Sequence, residues 1–151
     1  MDNAKNIIVR RAVQEDKVAF KNLWSLCFED SNAFREWFFE NRFCYAYSVL
    51  LKVEDKVASC MQGFPYSLWI RGKEVPGAML CGVSTHPEER KKGYMGKIFT
   101  YALNLLSDMY CAVAPHTPAA LPSYFSYGHY PVADAAYLEC DTLPSVSGYL
   151  L

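Results

Sequence analysis

The spacing of apolar and polar residues predicts that the first forty residues form one strand and two helices. Residues 6–11 read as a strand, and the acidic residues at 15–16 then suit the positive end of a helix dipole. A second helix should begin after Ser31, a typical N-cap, and end near Asn41. The apolar face of the first helix is formed by residues at helical spacing: Phe20, Leu23, Trp24 and Cys27.

Three longer segments follow and predict an antiparallel meander. The strands are expected at 45–53, 57–70 and 74–85. The connections are short and carry turn residues, Glu54-Asp55-Lys56 and Arg71-Gly72-Lys73, which favour hairpins.

The second half of the chain predicts a strand–helix–strand unit. A helix should follow Gly93 and end near Ser107, and a short buried strand at 109–114 should then run parallel to the 78–85 strand through a right-handed crossover. A closing strand is expected at 133–141, and the last ten residues form an apolar tail. The helix is predicted from apolar residues on one face: Met95, Ile98, Phe99, Ala102, Leu105 and Leu106.

The loop before this helix is basic and contains a glycine. It reads Arg90-Lys91-Lys92-Gly93. The first amides of a helix are unpaired, and the helix dipole makes its N-terminus positive. Gly93 would let the backbone approach a ligand closely. The loop therefore predicts a site for an anion, with phosphate or pyrophosphate the best fit.

These residues resemble motif A of the GNAT superfamily of N-acetyltransferases, whose pattern is Arg/Gln-x-x-Gly-x-Gly/Ala. Arg90 and Gly93 match it, whereas Met95 stands where the family usually has Gly or Ala. The run Val83 to Gly93 is most similar to the Eis-like branch, which accepts a larger residue there. The resemblance covers about residues 6–141. It implies an α/β GNAT fold, with a mixed, mostly antiparallel sheet, helices on both faces, and parallel strands at about 77–85 and 109–114 that splay apart.

The resemblance also implies acetyl-CoA as co-substrate, and no metal. In that family the loop amides hold the pyrophosphate, and the strand end before the loop pairs with the pantetheine arm. On this chain the implied cofactor-binding residues are Val83, Ser84, Thr85, Arg90, Lys91, Lys92, Gly93, Tyr94, Met95 and Gly96.

Tyr124 is the implied catalytic residue. It lies four residues before Gly128, at the position of the family's tyrosine, and Tyr127 lies elsewhere in the pattern. A tyrosine keeps its proton at neutral pH and can give it to a thiolate leaving group. Pro122 is expected to interrupt the helix that carries it. No general base is evident. His116 is a candidate because an imidazole titrates near neutral pH, but it is a weak one.

The first two helices and their connection flank the acceptor pocket in Eis-like enzymes. By that resemblance, an aromatic face and carboxylates would hold a cationic amine of a small molecule or peptide. The implied substrate-binding residues are Phe28, Glu29, Asp30 and Trp37.

Length and composition limit the number of domains, the partners and the cellular location. The 151 residues suit a single GNAT-like domain, although Eis-like relatives continue into further domains and this chain would then be truncated. A net charge of −1 argues against nucleic acid as a partner, and no apolar run approaches the ~20 residues that span a membrane. The six cysteines lack metal-ligand spacing and predict free thiols in a reducing cytoplasm. The apolar tail would favour a homo-oligomer.

Two functions are compatible with this sequence. The first is an acetyl-CoA-dependent N-acetyltransferase that transfers the acetyl group directly to an amine, which Arg90, Gly93 and Tyr124 favour. The second is a catalytically weak module that binds acetyl-CoA or another pantetheine ligand, which the missing base and missing further domains favour. We take the acetyltransferase as the leading hypothesis.

Overall fold

A computed structural model describes residues 5–110, 112–115 and 121–131 of the chain. The predicted closing strand at 133–141, the apolar tail and His116 lie outside these residues. The described strands and helices are β1 (Ile7–Arg11), α1 (Lys17–Cys27), α2 (Asn32–Asn41), β2 (Val49–Val53), β3 (Lys56–Ile70), β4 (Lys73–Thr85), α3 (Tyr94–Ser107), β5 (Ala112–Pro115) and α4 (Leu121–Phe125). Single 3₁₀ turns lie at Gln14–Asp16, Tyr45–Tyr47 and Pro87–Glu89.

The five described strands form one mixed sheet in the order β1-β2-β3-β4-β5. Neighbouring strands are antiparallel except for the parallel pair β4 and β5, as the sequence predicts. That pair is matched from Gly77 with Ala112 to Leu80 with Pro115. Over the described residues, β4 therefore continues through 81–85 without a partner on this side, and a cleft opens at that edge.

Helices cover both faces of the sheet, which confirms the predicted layers. Along β2, alternate side chains point to opposite faces, so Leu51 packs in the cluster that contains α3 while Leu50 packs with α1 and α2. Phe99 of α3 and Phe20 of α1 are both fully buried at the centres of these two clusters. Burial of one such side chain is worth about 1.5–3 kcal/mol, so the two layers fix the sheet between them.

The β3–β4 hairpin is the longest unit of the fold. Its turn residues Arg71 and Gly72 both have positive φ, 51° and 76°, which is the conformation of a type I′ turn. β2 pairs with β3 only from Lys56 to Met61, so the outer part of the hairpin extends beyond β2. Trp69 near its tip is 72% exposed.

Three local predictions require correction. Residues 45–47 form a 3₁₀ turn rather than the start of a strand, because the Ser48 hydroxyl donates to the Cys44 carbonyl at 2.7 Å. β5 begins at Ala112 rather than 109, because the amide of Tyr110 still donates to the Leu106 carbonyl at 2.9 Å. Pro122 does not interrupt α4: it falls in the first turn, where no amide donor is needed.

A partly buried ion pair joins β1 to the start of α1. Arg10 donates to both carboxylate oxygens of Asp16 at 2.7 and 2.8 Å, and the Val13 amide donates to one of them at 2.8 Å. Burial acts to raise the pKa of Asp16, but the hydrogen bonds from Arg10 and Val13 outweigh it and hold that pKa below its usual value. The carboxylate is therefore charged in the folded protein at neutral pH.

Candidate active site

The connection from β4 to α3 is short and held by hydrogen bonds at its start. The His86 amide donates to the Ala58 carbonyl at 2.8 Å, which ties the end of β4 to β3. His86 Nδ1 then accepts from the Glu88 amide at 3.3 Å and caps the 3₁₀ turn. The basic loop that follows is therefore presented from a fixed strand end.

The N-terminus of α3 opens toward solvent at Gly93. Gly93 is the N-cap, with φ 75° and ψ 13°, and Lys91 also has a positive φ of 63°. No side chain in the described part of the chain caps the first amides of this helix. A Cβ added at Gly93 would meet no described atom within 4 Å. Open space, unpaired amides and a helix dipole together fit a diphosphate at this position.

The three cations of the loop have different roles. Arg90 folds back over the strand end, where its Nε donates to the Thr85 carbonyl at 3.2 Å. Lys92 is paired with Glu89 at 2.8 Å, and this bond raises the pKa of Lys92 and lowers that of Glu89. Lys91 is exposed and lines the adjacent cavity. Arg90 and Lys91 therefore carry the positive charge that faces the cavity.

This cavity has a volume of about 490 Å³ and lies between the β4 end and the α3 N-terminus. Nine of the ten sequence-predicted cofactor residues line it, and Lys92 does not. Four further lining residues were not predicted to bind cofactor: Cys27, Phe28, Glu89 and Tyr127. A larger depression of about 680 Å³ lies elsewhere, beside Arg10 and Arg11 at the end of β1, and none of the sequence-predicted site residues lines it.

Two tyrosines of the α4 region lie against Phe99 of α3, in different positions. Tyr124 is 4% exposed, with its ring 5.5 Å from that of Phe99, and it does not line the cavity. Burial raises its pKa, and the nearby Cys81 adds to the rise. Tyr127 stacks on Phe99 at 4.6 Å and lines the cavity, where its hydroxyl is 3.3 Å from the position of a Cβ at Gly96.

The predicted acceptor residues divide into one at the cavity and three away from it. Phe28 lines the cavity and its ring lies 5.1 Å from that of Trp24. Asp30 accepts a hydrogen bond from the Trp24 indole at 2.8 Å. Glu29 is exposed, and Trp37 is 47% exposed with its ring 6.0 Å from that of Phe34. Of these four residues, only Phe28 lines the cavity.

A bulge in β4 brings together two residues that the sequence pattern did not single out. Gly82 has φ 56°, and a Cβ there would stand 2.5 Å from Trp24 Cζ3 and 2.7 Å from Gln62 Nε2. Gln62 is 1% exposed, and neither Nε2 nor Oε1 has a hydrogen-bond partner among the described residues. An unpaired buried polar group costs about 1–3 kcal/mol. The sequence feature that could have identified Gln62 is a glutamine within an otherwise apolar strand.

The described cysteines are free thiols, and two of them are held protonated. Burial raises the pKa of Cys60 to about 12 and that of Cys81 to about 12. Across the described ranges, no group of three or more His, Cys, Asp or Glu residues is placed to hold a metal ion. None of the described helices is both long and apolar enough to cross a membrane.

Several known structures share this fold. A probable N-acyltransferase from Enterococcus faecalis aligns with a TM-score of 0.70 and 22% identity over 82% of this chain, but over only 32% of its own length. This chain thus spans about a third of that relative. Glucosamine-6-phosphate N-acetyltransferase from Arabidopsis thaliana aligns with a TM-score of 0.66 and 15% identity over 91% of this chain and 100% of its own.

An aminoglycoside N-acetyltransferase in complex with CoA aligns with a TM-score of 0.71 and 11% identity, covering 94% of this chain and 99% of its own. No curated protein sequence matches the chain. The family model of the acetyltransferase (GNAT) domain matches residues 8–133, which include the described sheet, the basic loop and both tyrosines. The chain therefore belongs to the GNAT acetyltransferase family.

Proposed function

We propose that this chain binds acetyl-CoA and transfers its acetyl group directly to a primary amine of a small molecule or peptide. The observation that carries the proposal is the uncapped N-terminus of α3, which opens at Gly93 into the cavity beside the β4 end. Membership of the GNAT family supports the same co-substrate. Acetyl-CoA supplies an activated acyl group as a thioester. The protein must bind and orient acetyl-CoA and protonate the leaving thiolate.

Binding is assigned to the loop and the strand end. The amides that follow Gly93 belong to residues that line the cavity and would hold the pyrophosphate, with Arg90 and Lys91 adding positive charge. Beyond Leu80, β4 has no described partner at its cleft edge, so its cleft-facing backbone groups from Cys81 to Val83 are the ones available to the pantetheine arm. The carbonyls of Ser84 and Thr85 already accept hydrogen bonds from Ser59 and Arg90. A backbone amide near Val83 is the candidate for polarising the thioester carbonyl.

The proton for the leaving thiolate is assigned to Tyr124. In the transfer, the amine nitrogen forms a bond to the acyl carbon, the C–S bond breaks, the amine loses a proton and the sulfur gains one. Tyr124 is near Cys81, the first β4 residue beyond the last described β5 pair, and its raised pKa keeps the hydroxyl protonated. Tyr127 lines the cavity beside Gly96, and we assign it to cofactor binding.

The acceptor enters from the side of α1 and α2 in this proposal. Phe28 supports that side because it lines the cavity, while Glu29, Asp30 and Trp37 remain predictions for a more distant part of the acceptor. His86 uses Nδ1 to cap the 3₁₀ turn, so we do not assign it as a base. We expect the acceptor amine to react in its neutral form.

A second function is favoured by one observation. The assigned proton donor Tyr124 is 4% exposed and does not line the cavity, so a module that binds acetyl-CoA or another pantetheine ligand without efficient turnover is the alternative. We further propose that the chain acts as a single domain of the Eis-like branch, in the cytoplasm, with a homo-oligomer as the assembly to test. The free thiols of the described cysteines support the cytoplasmic assignment.

Calorimetric titration with acetyl-CoA tests the proposal, and glycine substitution provides a matched pair. Gly93→Ala and Gly72→Ala place a Cβ at similar positive φ, 75° and 76°, where no described atom lies within 4 Å. Both should lose similar stability, but only Gly93→Ala should weaken acetyl-CoA binding, by about tenfold. Equal binding by the two variants would show that the pyrophosphate does not lie at Gly93.

Charge reversal is the second arm of the experiment. Arg90→Glu should weaken binding several-fold, while Lys73→Glu, which makes the same charge change near the hairpin tip, should leave it unchanged. Absence of binding by the folded wild-type chain would reject both functions. Binding without thiol release in the presence of any amine tested would select the module over the enzyme.

A further inference from the structure

Gln62 is a buried polar side chain that no hydrogen bond within the described residues satisfies. It is 1% exposed, and its carboxamide has no hydrogen-bond partner in the described ranges. Comparable buried hydroxyls of the sheet are paired: Ser59 donates to the Ser84 carbonyl at 2.9 Å and Ser48 to the Cys44 carbonyl at 2.7 Å. Buried polar groups in folded proteins are nearly always paired, so the exception points to a partner that binds from outside.

Gln62 lies opposite the point on β4 where the cleft edge begins. Its register partner on β4 is Cys81, the first residue beyond the last described pair of β4 and β5. The next residue, Gly82, has no side chain, and Gln62 Nε2 lies 2.7 Å from the point where a Cβ would stand. The carboxamide therefore lies beside the part of β4 that forms the cleft edge.

Aromatic side chains connect this carboxamide to the cavity. The ring of Trp24 meets the same Gly82 position as Gln62, with Cζ3 2.5 Å from the added Cβ. Phe28 packs on Trp24 and also lines the cavity. Asp30 holds the indole N–H of Trp24, so that donor is already used. Gln62 itself does not line the cavity, so an acceptor group that reaches its carboxamide must displace Phe28 and Trp24 on the α1 side, where the acceptor is proposed to enter.

We infer that the Gln62 carboxamide binds the acceptor substrate through an uncharged group, a hydroxyl or an amide, that lies next to the reacting amine. A carboxamide offers both a donor and an acceptor, and such groups match both. Its surroundings are uncharged, because burial keeps the neighbouring Cys60 and Cys81 thiols protonated. This inference rests on the proposed acetyltransferase function and specifies its substrate class.

Three proteins test the inference: wild type, Gln62→Met and Ser48→Ala. Methionine keeps the length of glutamine without the amide, and Ser48→Ala removes a buried polar group that is already paired. The probes are acetyl-CoA alone in calorimetry, and then glycinamide, ethanolamine and propylamine in a thiol-release assay. Propylamine is similar in length to the other two and lacks their polar group.

The expected result separates a functional role from a structural one. With kcat/KM expressed per concentration of neutral amine, wild type should prefer glycinamide or ethanolamine to propylamine by about tenfold or more, and Gln62→Met should reduce that ratio to about one. Because it removes unpaired polar atoms, Gln62→Met should raise Tm by about 2–4 °C. Ser48→Ala should lower Tm and keep the ratio.

The remaining outcomes contradict the inference in distinguishable ways. If wild type binds acetyl-CoA but shows no preference among the three amines, or acetylates none, Gln62 does not select such a substrate. If Gln62→Met keeps the preference, or loses stability as Ser48→Ala does, the carboxamide has a structural role. If wild type fails to bind acetyl-CoA, the proposed function fails first and the inference fails with it.

Discussion

Substitution of Gly82 by alanine gives a direct test of how closely α1 packs on the β4 bulge. The added Cβ would stand 2.5 and 2.8 Å from two atoms of the Trp24 ring and 2.7 Å from Gln62 Nε2. Separations below 3 Å require neighbours to move, and such overpacking typically costs about 1–3 kcal/mol. A non-glycine residue at φ 56° adds roughly 1–2 kcal/mol. We therefore expect Gly82→Ala to lose about 2–5 kcal/mol of unfolding free energy.

Gly72→Ala is the control, because it has the backbone contribution without the contact. Its φ is 76° and no described atom lies within 4 Å of the added Cβ, so the loss should be about 1–2 kcal/mol. Urea unfolding measures both variants, and unchanged m-values would show that the comparison concerns the folded state. Equal losses for the two glycines would refute the packing argument.

A double-mutant cycle locates the contact. In a Trp24→Leu background the ring that the new Cβ meets is gone and only the contact with Gln62 Nε2 remains, so Gly82→Ala should cost less than it does in wild type. Trp24→Leu alone should lose about 2–4 kcal/mol, since the side chain is 6% exposed and packs on three rings. Additive losses in the double variant would mean that the strain does not lie against Trp24.

Three further predictions concern the tyrosines, the acid limb of stability and the thiols. Tyr124→Phe should lower kcat by about 100-fold or more with little change in acetyl-CoA affinity. Tyr127→Phe should weaken that affinity about 2–10-fold and nearly keep kcat. The opposite pattern would exchange the roles of the two tyrosines. Asp16 has a lowered folded pKa, so its charge stabilises the protein above its unfolded pKa of about 3.9, and this contribution is lost as pH falls through the folded value. Asp16→Asn should thus lose about 1–3 kcal/mol at pH 7 and approach wild type in acid, and a constant difference in urea midpoints from pH 7 to 3 would contradict this. At pH 8, iodoacetamide should label Cys27, which lines the cavity, while the buried Cys60 stays unmodified. Acetyl-CoA should slow the labelling of Cys27 several-fold. Peptide mapping that shows no protection of Cys27 would place the cofactor elsewhere.

The sequence predicts those parts of the fold that depend on short-range chemistry. Ser31 caps α2 as expected, accepting from the Phe34 amide at 3.2 Å, and Arg71-Gly72 forms the hairpin turn. The basic loop before α3 is also recognisable, because amides, glycine and cations lie together in the sequence. In each case the residues that decide the structure are within about four positions of one another.

The features that the sequence does not predict depend on contacts between distant segments. The bulge at Gly82 arises where β4 and β3 change register, and its packing depends on Trp24 of α1. Family resemblance points to Tyr124, but only the docking of α4 on Phe99 determines that Tyr127 reaches the cavity. β5 starts late because the last turn of α3 keeps the amide of Tyr110. Composition and spacing cannot specify these contacts.

The length of the β3–β4 hairpin has a consequence for the order of folding. Its strands are adjacent in sequence, so their pairing closes only a short loop, while β5 must return across α3 to make four pairs with β4. The hairpin should form early and β5 should dock late. Amide hydrogen exchange would then be slowest in β3 and inner β4 and faster in β5. Partial opening would release the cleft edge first, so activity should be lost on heating before most of the secondary structure is.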